Sequence, residues 1–399
     1  MAFDVNAETA ALVDAMGSER LARAAAYTTG AHWLLLVGLV VSVLTAAVIA
    51  RSGILTRWVP RRPDSPNRTA ALSAIVFVLA SAVLTLPLTL YSDFYREHAY
   101  GRSSQPLGDF LGQLALSTVI STVLSAAVLC VVYWFLRRTG ARWWLWATGF
   151  VAIAMAALML AAPVVIEPLF NRFDPLPTGP VRDAILPMAR EAGVPPQRIF
   201  VFDGSRQSNN FTANAGGIGS TARIAVSDVA LKGASLAEVR AVTGHEIGHY
   251  VLHHSLWGIL IGTLMTLVCF LAAERAYPAV ARRLGITAPL SDPVGLPALS
   301  ITASLLVFLA TPVLNTASRH FEAEADVYSL THVGEPDGLA TALIKTADYR
   351  NPRPGVWEEI VFYNHPSVEA RVRRAMEFKA AHPVSDLPAS GTEPTATQP

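Results

Sequence analysis

The sequence predicts a predominantly α-helical integral membrane protein with about six transmembrane helices. The chain has 399 residues, of which 52% are hydrophobic and only 15% are charged, a balance far from that of soluble domains. Six apolar runs without charged residues approach or exceed the length that crosses roughly 30 Å of hydrocarbon. They lie at about 31–50, 69–91, 111–136, 143–166, 256–273 and 296–314. Aromatic and arginine residues at several of their ends are typical of membrane interfaces.

The net charge, the N-terminal residues and the two cysteines limit the possible partners and processing of the protein. A net charge of +1 gives no indication of a nucleic-acid partner. The first thirty residues lack the basic start and small-residue cleavage site of a signal peptide, so we expect the first span to be retained. Both cysteines fall inside predicted spans, where we expect them to act as small apolar residues.

The predicted spans divide the chain into six parts. These are an N-terminal polar segment (1–30), a four-span region (31–166), a soluble insert (167–255), two further transmembrane helices (256–314), a C-terminal helical part (315–380) and a disordered tail (381–399). Chemistry is expected in the polar parts, since charged side chains are costly in lipid.

The soluble insert combines helix and strand patterns. A helix is predicted from 180 to 194, and the β-rich runs "RIFVFD" (198–203) and "ARIAVSD" (222–228) predict two short strands. Ser235 and Glu238 have the spacing of a capping box. We expect the helix that begins there to continue without a break into the fifth span.

The motif "HEIGH" in "TGHEIGHYVLHHS" (243–255) predicts a metal site. Histidines four residues apart share a helix face, so His245 and His249 can bind one ion. Glu246, one position round the helix, can reach a water molecule on that ion. This HExxH arrangement is typical of zinc hydrolases.

A catalytic zinc usually takes three protein ligands, and the sequence offers several candidates for the third. His253 and His254 follow on the same helix, and Glu322 lies beyond the sixth span. His249 is seven residues before the fifth span and Glu322 eight residues after the sixth, so both should stand about 10 Å from the hydrocarbon. Because the chain crosses and returns between them, we expect both on one side, which favours Glu322.

The two metal segments resemble those of a known family. "HEIGH" followed by "SRHFEAEAD" is similar to the type I CAAX prenyl proteases, and similarity extends over roughly residues 70–380, through "EPLFNRFDPLPTGPVRD", "NNFTANAGG" and "NHPSVEARVRRA". The resemblance implies a zincin-like metalloprotease domain containing a small β-sheet. It implies that His245, His249 and Glu322 bind one Zn²⁺ per chain and that Glu246 is the general base.

Further site residues follow from the same resemblance. Asp326 would accept a hydrogen bond from a zinc-bound imidazole, as ligating histidines generally require; an exposed helical acid is the alternative. His365 and Arg371 would contact substrate or the oxyanion, the alternatives being a helix cap and a surface ion pair. Thr212, Ala213 and Asn214 resemble the family's substrate-binding edge strand, although the family's usual Asn-Ala-aromatic pattern is absent and the register could be slipped by two residues.

These expectations together predict a membrane-embedded zinc metalloendopeptidase. Its partners would be the bilayer and peptide or membrane-protein substrates, possibly lipidated in the CAAX prenyl manner. One alternative is a membrane-protein quality-control protease similar to the HtpX group. An alternative of another class is a non-catalytic scaffold or transporter with a structural zinc site.

The predicted location is a multi-pass bacterial cell membrane, because 28 arginines against 3 lysines are typical of high-GC bacteria. The resemblance implies a zinc site that faces the cytoplasm. The loops that would then be external carry eleven arginines (51–68, 137–142 and 274–295), whereas the opposite loop 92–110 carries two. Positive-inside counting therefore favours the reverse orientation, and the two expectations conflict.

Overall fold

A computed structural model describes residues 3–61, 64–217 and 219–382. Most of the predicted tail, from residue 383 onwards, lies outside these residues. The helices are α1 (Val5–Asp14), α2 (Gly17–Ser52), α3 (Ile54–Trp58), α4 (Pro66–Thr89), α5 (Arg96–Ala99), α6 (Leu107–Arg138), α7 (Trp143–Ala161), α8 (Pro180–Glu191), α9 (Asp228–Gly233), α10 (Leu236–Val251), α11 (His254–Arg283), α12 (Leu296–Val333), α13 (Pro336–Lys345), α14 (Val356–Phe362) and α15 (Val368–Ala381). The strands are β1 (Phe173–Pro175), β2 (Ile199–Phe202), β3 (Ala213–Gly216) and β4 (Arg223–Ser227).

The predicted number of membrane spans is confirmed. Among the described residues, six helical stretches are long and apolar enough to cross a bilayer: Gly17–Ser52, Pro66–Ala99, Leu107–Arg138, Gly140–Leu169, His254–Arg283 and Pro293–Val333. They leave large apolar side chains uncovered; Val83 and Ile153 are each 70% exposed and Leu309 is 71% exposed. Such exposure suits a surface that contacts lipid, and would be unfavourable over so wide an area in water.

The described residues form two compact units. The membrane unit comprises residues 31–158 and 256–311. The second unit, called the catalytic unit below because it contains the HExxH motif, comprises the described parts of 1–30, 159–255 and 312–399. In the membrane unit, α4 packs along α6, and Ile49, Leu55 and Leu296 form a buried cluster.

A small sheet forms one side of the catalytic unit. Within the described residues its order is β1-β2-β4-β3, with β2 parallel to β4 and the outer strands antiparallel to their neighbours. The predictions at 198–203 and 222–228 are confirmed as β2 and β4, whereas the three-residue β1 was not predicted. Ile199, Ile224 and Val226 are fully buried in a core shared with α8 and α10.

The N-terminal polar segment contributes to the same unit. Helix α1 packs on α13 and α15, and Met16 is buried in a cluster with Leu339 and Val372. Arg353 adds an ion pair to Asp14 at 2.7 Å. The segment therefore stabilises the C-terminal helices of the catalytic unit, a partner that its polar composition did not indicate.

Helix α10 carries the HExxH motif and begins as predicted. Ser235 accepts a hydrogen bond from the Glu238 backbone, and the Glu238 side chain accepts one from the Ser235 backbone. The expectation of one helix running into the fifth span is wrong. Helix α10 ends at Val251, and His253 adopts a left-handed conformation with φ 57°, which non-glycine residues rarely do within regular structure. The chain therefore turns before α11 begins at His254.

Two glycines allow α10 to lie directly against α12. A Cβ atom on Gly248 would be 3.0 Å from the Tyr328 Cβ and 3.2 Å from the Ala325 Cα, and one on Gly244 would overlap Val333. Because each glycine precedes a motif histidine by one residue, this close approach sets the distance between the two histidines and α12.

We predict that Gly248→Ala destabilises the protein by about 1–3 kcal/mol, because the added methyl group overpacks a contact that includes backbone. Gly258→Ala is the control, since a Cβ there meets nothing within 4 Å and alanine favours helix. Denaturant unfolding in detergent measures both. An unfolding free energy for Gly248→Ala equal to that of the wild type would contradict the close contact.

Candidate active site

The structure brings together three side chains that the sequence proposed as metal ligands. The Nε2 atoms of His245 and His249 lie 3.1 Å apart, and Glu322 oxygens lie 3.3 Å from the first and 3.4 Å from the second. A tetrahedral zinc ion with bonds of about 2.0–2.1 Å requires ligand atoms about 3.3 Å apart. The Glu322 distances involve both of its oxygens, Oε2 toward His245 and Oε1 toward His249, and one atom from each of the three side chains lies within 4.8 Å of the other two. This spacing fits a zinc ion held by the three side chains.

The donor chemistry fits a cation as well. The buried Glu322 Oε2 makes no hydrogen bond within the described part of the chain, and an unsatisfied buried carboxylate oxygen is costly. Burial opposes a charge on His245, but the neighbouring carboxylates of Asp326 and Glu322 outweigh burial and raise the pKa of His245 to about 9. Positive charge at this position, whether a proton or a metal ion, is thus stabilised.

Asp326 holds the far side of the His245 ring. Its Oδ1 lies 3.0 Å from His245 Nδ1, as the hydrogen bond to a ligating imidazole requires. Arg371 donates two further hydrogen bonds to this carboxylate, at 2.7 and 2.9 Å, and Arg374 donates one at 3.0 Å. Because Asp326 is fully buried, the alternative of an exposed helical acid does not describe it.

Glu246 lines a cavity of about 290 Å³ beside the three ligands. Burial raises the pKa of its carboxyl above the usual range, which makes the carboxylate a stronger proton acceptor. Thr212 and Ala213 line the same cavity. The predicted base and part of the predicted edge strand therefore line the same cavity.

His365 and Arg371 also line this cavity, and neither has the alternative role that the sequence allowed. The cap of α15 is Ser367 and not His365. His365 places its Nε2 3.2 Å from Glu322 Oε1, and burial together with the nearby charge of Arg350 lowers its pKa to about 3. Arg371 is only 7% exposed and its ion pair with Asp326 is internal.

Sequence reasoning missed the role of His254 and did not single out Glu324. His254 was considered only as a third ligand, but its Nδ1 lies 2.9 Å from the Nδ1 of His249, the ring nitrogen that points away from Glu322. Its Nε2 lies 3.2 Å from Glu324. Two sequence features could have indicated these roles: the second histidine of "LHHS", which is His254, and the acidic residues at every second position of "FEAEAD", which include Glu324.

Comparison with known proteins identifies the family. Residues 175–379 match the model of peptidase family M48, and residues 5–172 match the model described as CAAX prenyl protease N-terminal, five membrane helices. The chain belongs to peptidase family M48. The resemblance drawn from the two metal segments is thereby confirmed.

Relatives of this family cover nearly the whole chain. It is 27% identical over 370 residues to the uncharacterized metalloprotease YhfN of Bacillus subtilis, covering 90% of this chain and 86% of that protein. It is 27% identical over 380 residues to the CAAX prenyl protease 1 homolog of Arabidopsis thaliana, covering 91% and 88%. The chain is a membrane metalloprotease of the CAAX prenyl protease type.

A solved structure supports the predicted fold class. The crystal structure of S. mikatae Ste24p superimposes with a TM-score of 0.68 at 22% identity, covering 83% of this chain and 80% of that one. The family's N-terminal model carries five membrane helices, whereas the described part of residues 5–172 holds four helices of that length and character.

We predict that Arg371→Ala destabilises the protein by about 3–5 kcal/mol, because it leaves the buried Asp326 charge without its main partner. Arg353→Ala is the matched control. Arg353 also pairs with carboxylates, but its side chain is 39% exposed, and exposed pairs contribute at most about 1 kcal/mol. Thermal unfolding in detergent compares the two variants. Equal losses of stability in both would contradict a buried network around Asp326.

Proposed function

We propose that this chain hydrolyses peptide bonds of membrane-associated, lipid-modified substrates, with one zinc ion held by His245, His249 and Glu322. The observation that carries the proposal is the convergence of three metal-binding side chains, which offer one atom each within 4.8 Å of one another, next to Glu246 and a cavity. Two of the side chains belong to α10 and one to α12, so helical spacing within a single helix does not explain why all three lie together.

Glu246 is the group that moves protons in this proposal. A zinc ion bound at the site would supply Lewis acidity toward the scissile carbonyl and lower the pKa of a water molecule toward about 7. Glu246 accepts a proton from the attacking water and later delivers it to the leaving amine. Its position one residue from His245, facing the same cavity, allows both transfers without movement of the helix.

His365 and Arg371 take different roles in this proposal. The neutral His365 ring lines the cavity with Nε2 3.2 Å from Glu322 Oε1, and in the tautomer with its proton on Nε2 it can donate to a developing oxyanion. Arg371 donates hydrogen bonds from Nε and Nη2 to Asp326. Asp326 in turn orients His245. We therefore assign substrate contact to His365 and positioning of the ligand network to Arg371.

Strand β3 is suited to hold an extended substrate. Ser227 N donates to Thr212 O at 2.9 Å, and hydrogen-bonded pairs alternate in antiparallel strands. Thr212 and Asn214 therefore bond to β4, while the N–H and C=O groups of Ala213 and Ala215 point to the outer edge. A peptide adding there would be held by main-chain bonds, which tolerate varied side chains.

The substrate class rests on the relatives and on the membrane spans. Proteins named CAAX prenyl protease 1 from plant, yeast and animal sources cover more than two thirds of this chain. A protease with six spans can receive a substrate that partitions into the bilayer through an attached lipid. We therefore propose isoprenylated peptides as substrates, with the lipid bilayer as the partner surface.

We predict that Glu246→Gln binds zinc as the wild type does but loses about 10²–10⁴-fold in turnover, because the amide cannot accept the proton. Zinc content and cleavage of a farnesylated peptide are measured on the same preparations. The same peptide without its lipid, and an unfolded membrane protein, are the comparison substrates.

Each outcome of this experiment is informative. Wild-type protein without zinc would refute the metal site, and equal turnover by Glu246→Gln would refute the proposed base. Zinc without turnover on any substrate would favour a scaffold or transporter. Faster cleavage of the unfolded membrane protein than of the farnesylated peptide would refute the substrate class and favour a quality-control protease.

We also propose that the metal site faces the cytoplasm, because the chain shares its fold with the S. mikatae Ste24p structure and a shared fold is hard to invert. Cysteines introduced at position 62 and at the C-terminus, in a chain whose Cys130 and Cys269 are replaced, report the two sides. An impermeant thiol reagent applied to intact cells should label position 62 alone. Labelling of the C-terminus instead would reverse the proposed orientation and agree with the arginine distribution.

A further inference from the structure

The two histidine ligands are held on their outer sides by different chemical groups. His245 has the carboxylate of Asp326 at 3.0 Å from its Nδ1. His249 has no carboxylate at that position among the described residues. It has instead the ring of His254, with 2.9 Å between the two Nδ1 atoms. Because a ligating imidazole binds metal through one nitrogen and must donate from the other, His254 has to accept this hydrogen bond.

An imidazole can accept on Nδ1 only when that nitrogen carries no proton. A neutral histidine carries its single N–H on one nitrogen, and the hydrogen bonds around the ring decide which. Glu324 lies 3.2 Å from His254 Nε2, and a carboxylate only accepts. Glu324 therefore places the proton of His254 on Nε2 and leaves the Nδ1 lone pair for His249.

The position of the His254 ring is fixed by packing. His254 is 6% exposed and stacks on Phe321 with ring centroids 4.6 Å apart and an interplanar angle of 18°. The left-handed residue His253 separates α10 from α11, and the His254 ring contacts the His249 ring of α10. A continuous helix from α10 into α11 would follow a different path, so the helix break makes this contact possible.

We propose that His254 and Glu324 form a positioning pair that holds His249 in the tautomer and orientation needed to bind the metal. The chain of hydrogen bonds runs from His249 Nδ1–H to His254 Nδ1 and from His254 Nε2–H to Glu324. The pair touches neither the metal position nor the cavity, and it acts only through His249. The inference rests on the metal site of the proposed function.

The decisive variant is Glu324→Ala, because the Glu324 side chain is 46% exposed on a helix and its removal leaves the core intact. Full-length protein in detergent is loaded with Zn²⁺ and titrated against a chelator of known affinity. We expect the zinc dissociation constant to rise about 10–100-fold, the range for loss of a group that orients a ligand. In protein loaded with Co²⁺, the visible absorption bands should shift, since they report the ligand geometry.

A matched control is available on the same carboxylate. His320 Nε2 lies 3.5 Å from the other oxygen of Glu324, and its side chain is 71% exposed. His320→Ala removes a Glu324 partner without touching His254, so zinc affinity and the Co²⁺ spectrum should equal those of the wild type. Glu324→Gln keeps an oxygen that accepts from His254 Nε2–H and should recover most of the affinity lost in the alanine variant.

Results that overturn the pair differ from those that overturn the metal site. Wild-type zinc affinity and an unchanged Co²⁺ spectrum in Glu324→Ala would refute the positioning role and leave the proposed function standing. Equal losses of zinc affinity in Glu324→Ala and His320→Ala would also refute the positioning role, because the effect would then be one of surface charge. Absence of zinc binding by the wild type would refute both proposals.

Discussion

The close approach of α10 and α12 is the constraint on which the site depends. Gly244 and Gly248 lack the side chains that would hold the two helices apart. The three candidate metal ligands, two from α10 and one from α12, can bring one atom each within 4.8 Å of one another only at such a separation. Interiors are packed too densely for such a contact to shift freely, so the same glycines also fix the geometry of the candidate metal site.

Buried charge explains why the surrounding residues are ionic. Asp326 and Glu322 are both buried, and uncompensated carboxylates there would destabilise the fold. Arg371 lies within hydrogen-bonding distance of Asp326 and 3.5 Å from Glu322. A divalent ion would add the remaining positive charge beside Glu322. The ion-pair network and the candidate metal site are therefore parts of one electrostatic arrangement.

The catalytic unit is assembled from three separate stretches of chain. Helix α1 from the N-terminal segment packs on α13 and α15, the helices that follow the metal-binding part of α12. The backbone N–H of Asn351 also donates to Thr28 at 2.7 Å, and Tyr363 donates to the Asn351 carbonyl at 3.1 Å. The loop near His365 is thus tied to residues more than 300 positions away in the sequence.

The sequence by itself determined the membrane spans, strands β2 and β4, the start of α10 and the ligand candidates His245, His249 and Glu322. Except for Glu322, these follow from composition, local periodicity and short motifs, in which the informative residues are neighbours along the chain. Glu322 was indicated by its position relative to the sixth span and by the family resemblance. Only the tertiary structure decided that α10 ends before His253, that Arg371 is internal, that Ala213 lies on the outer strand of the sheet, and that His254 contacts His249. Each of these depends on a backbone turn or on side chains brought together from distant segments, and a local sequence pattern carries no such information.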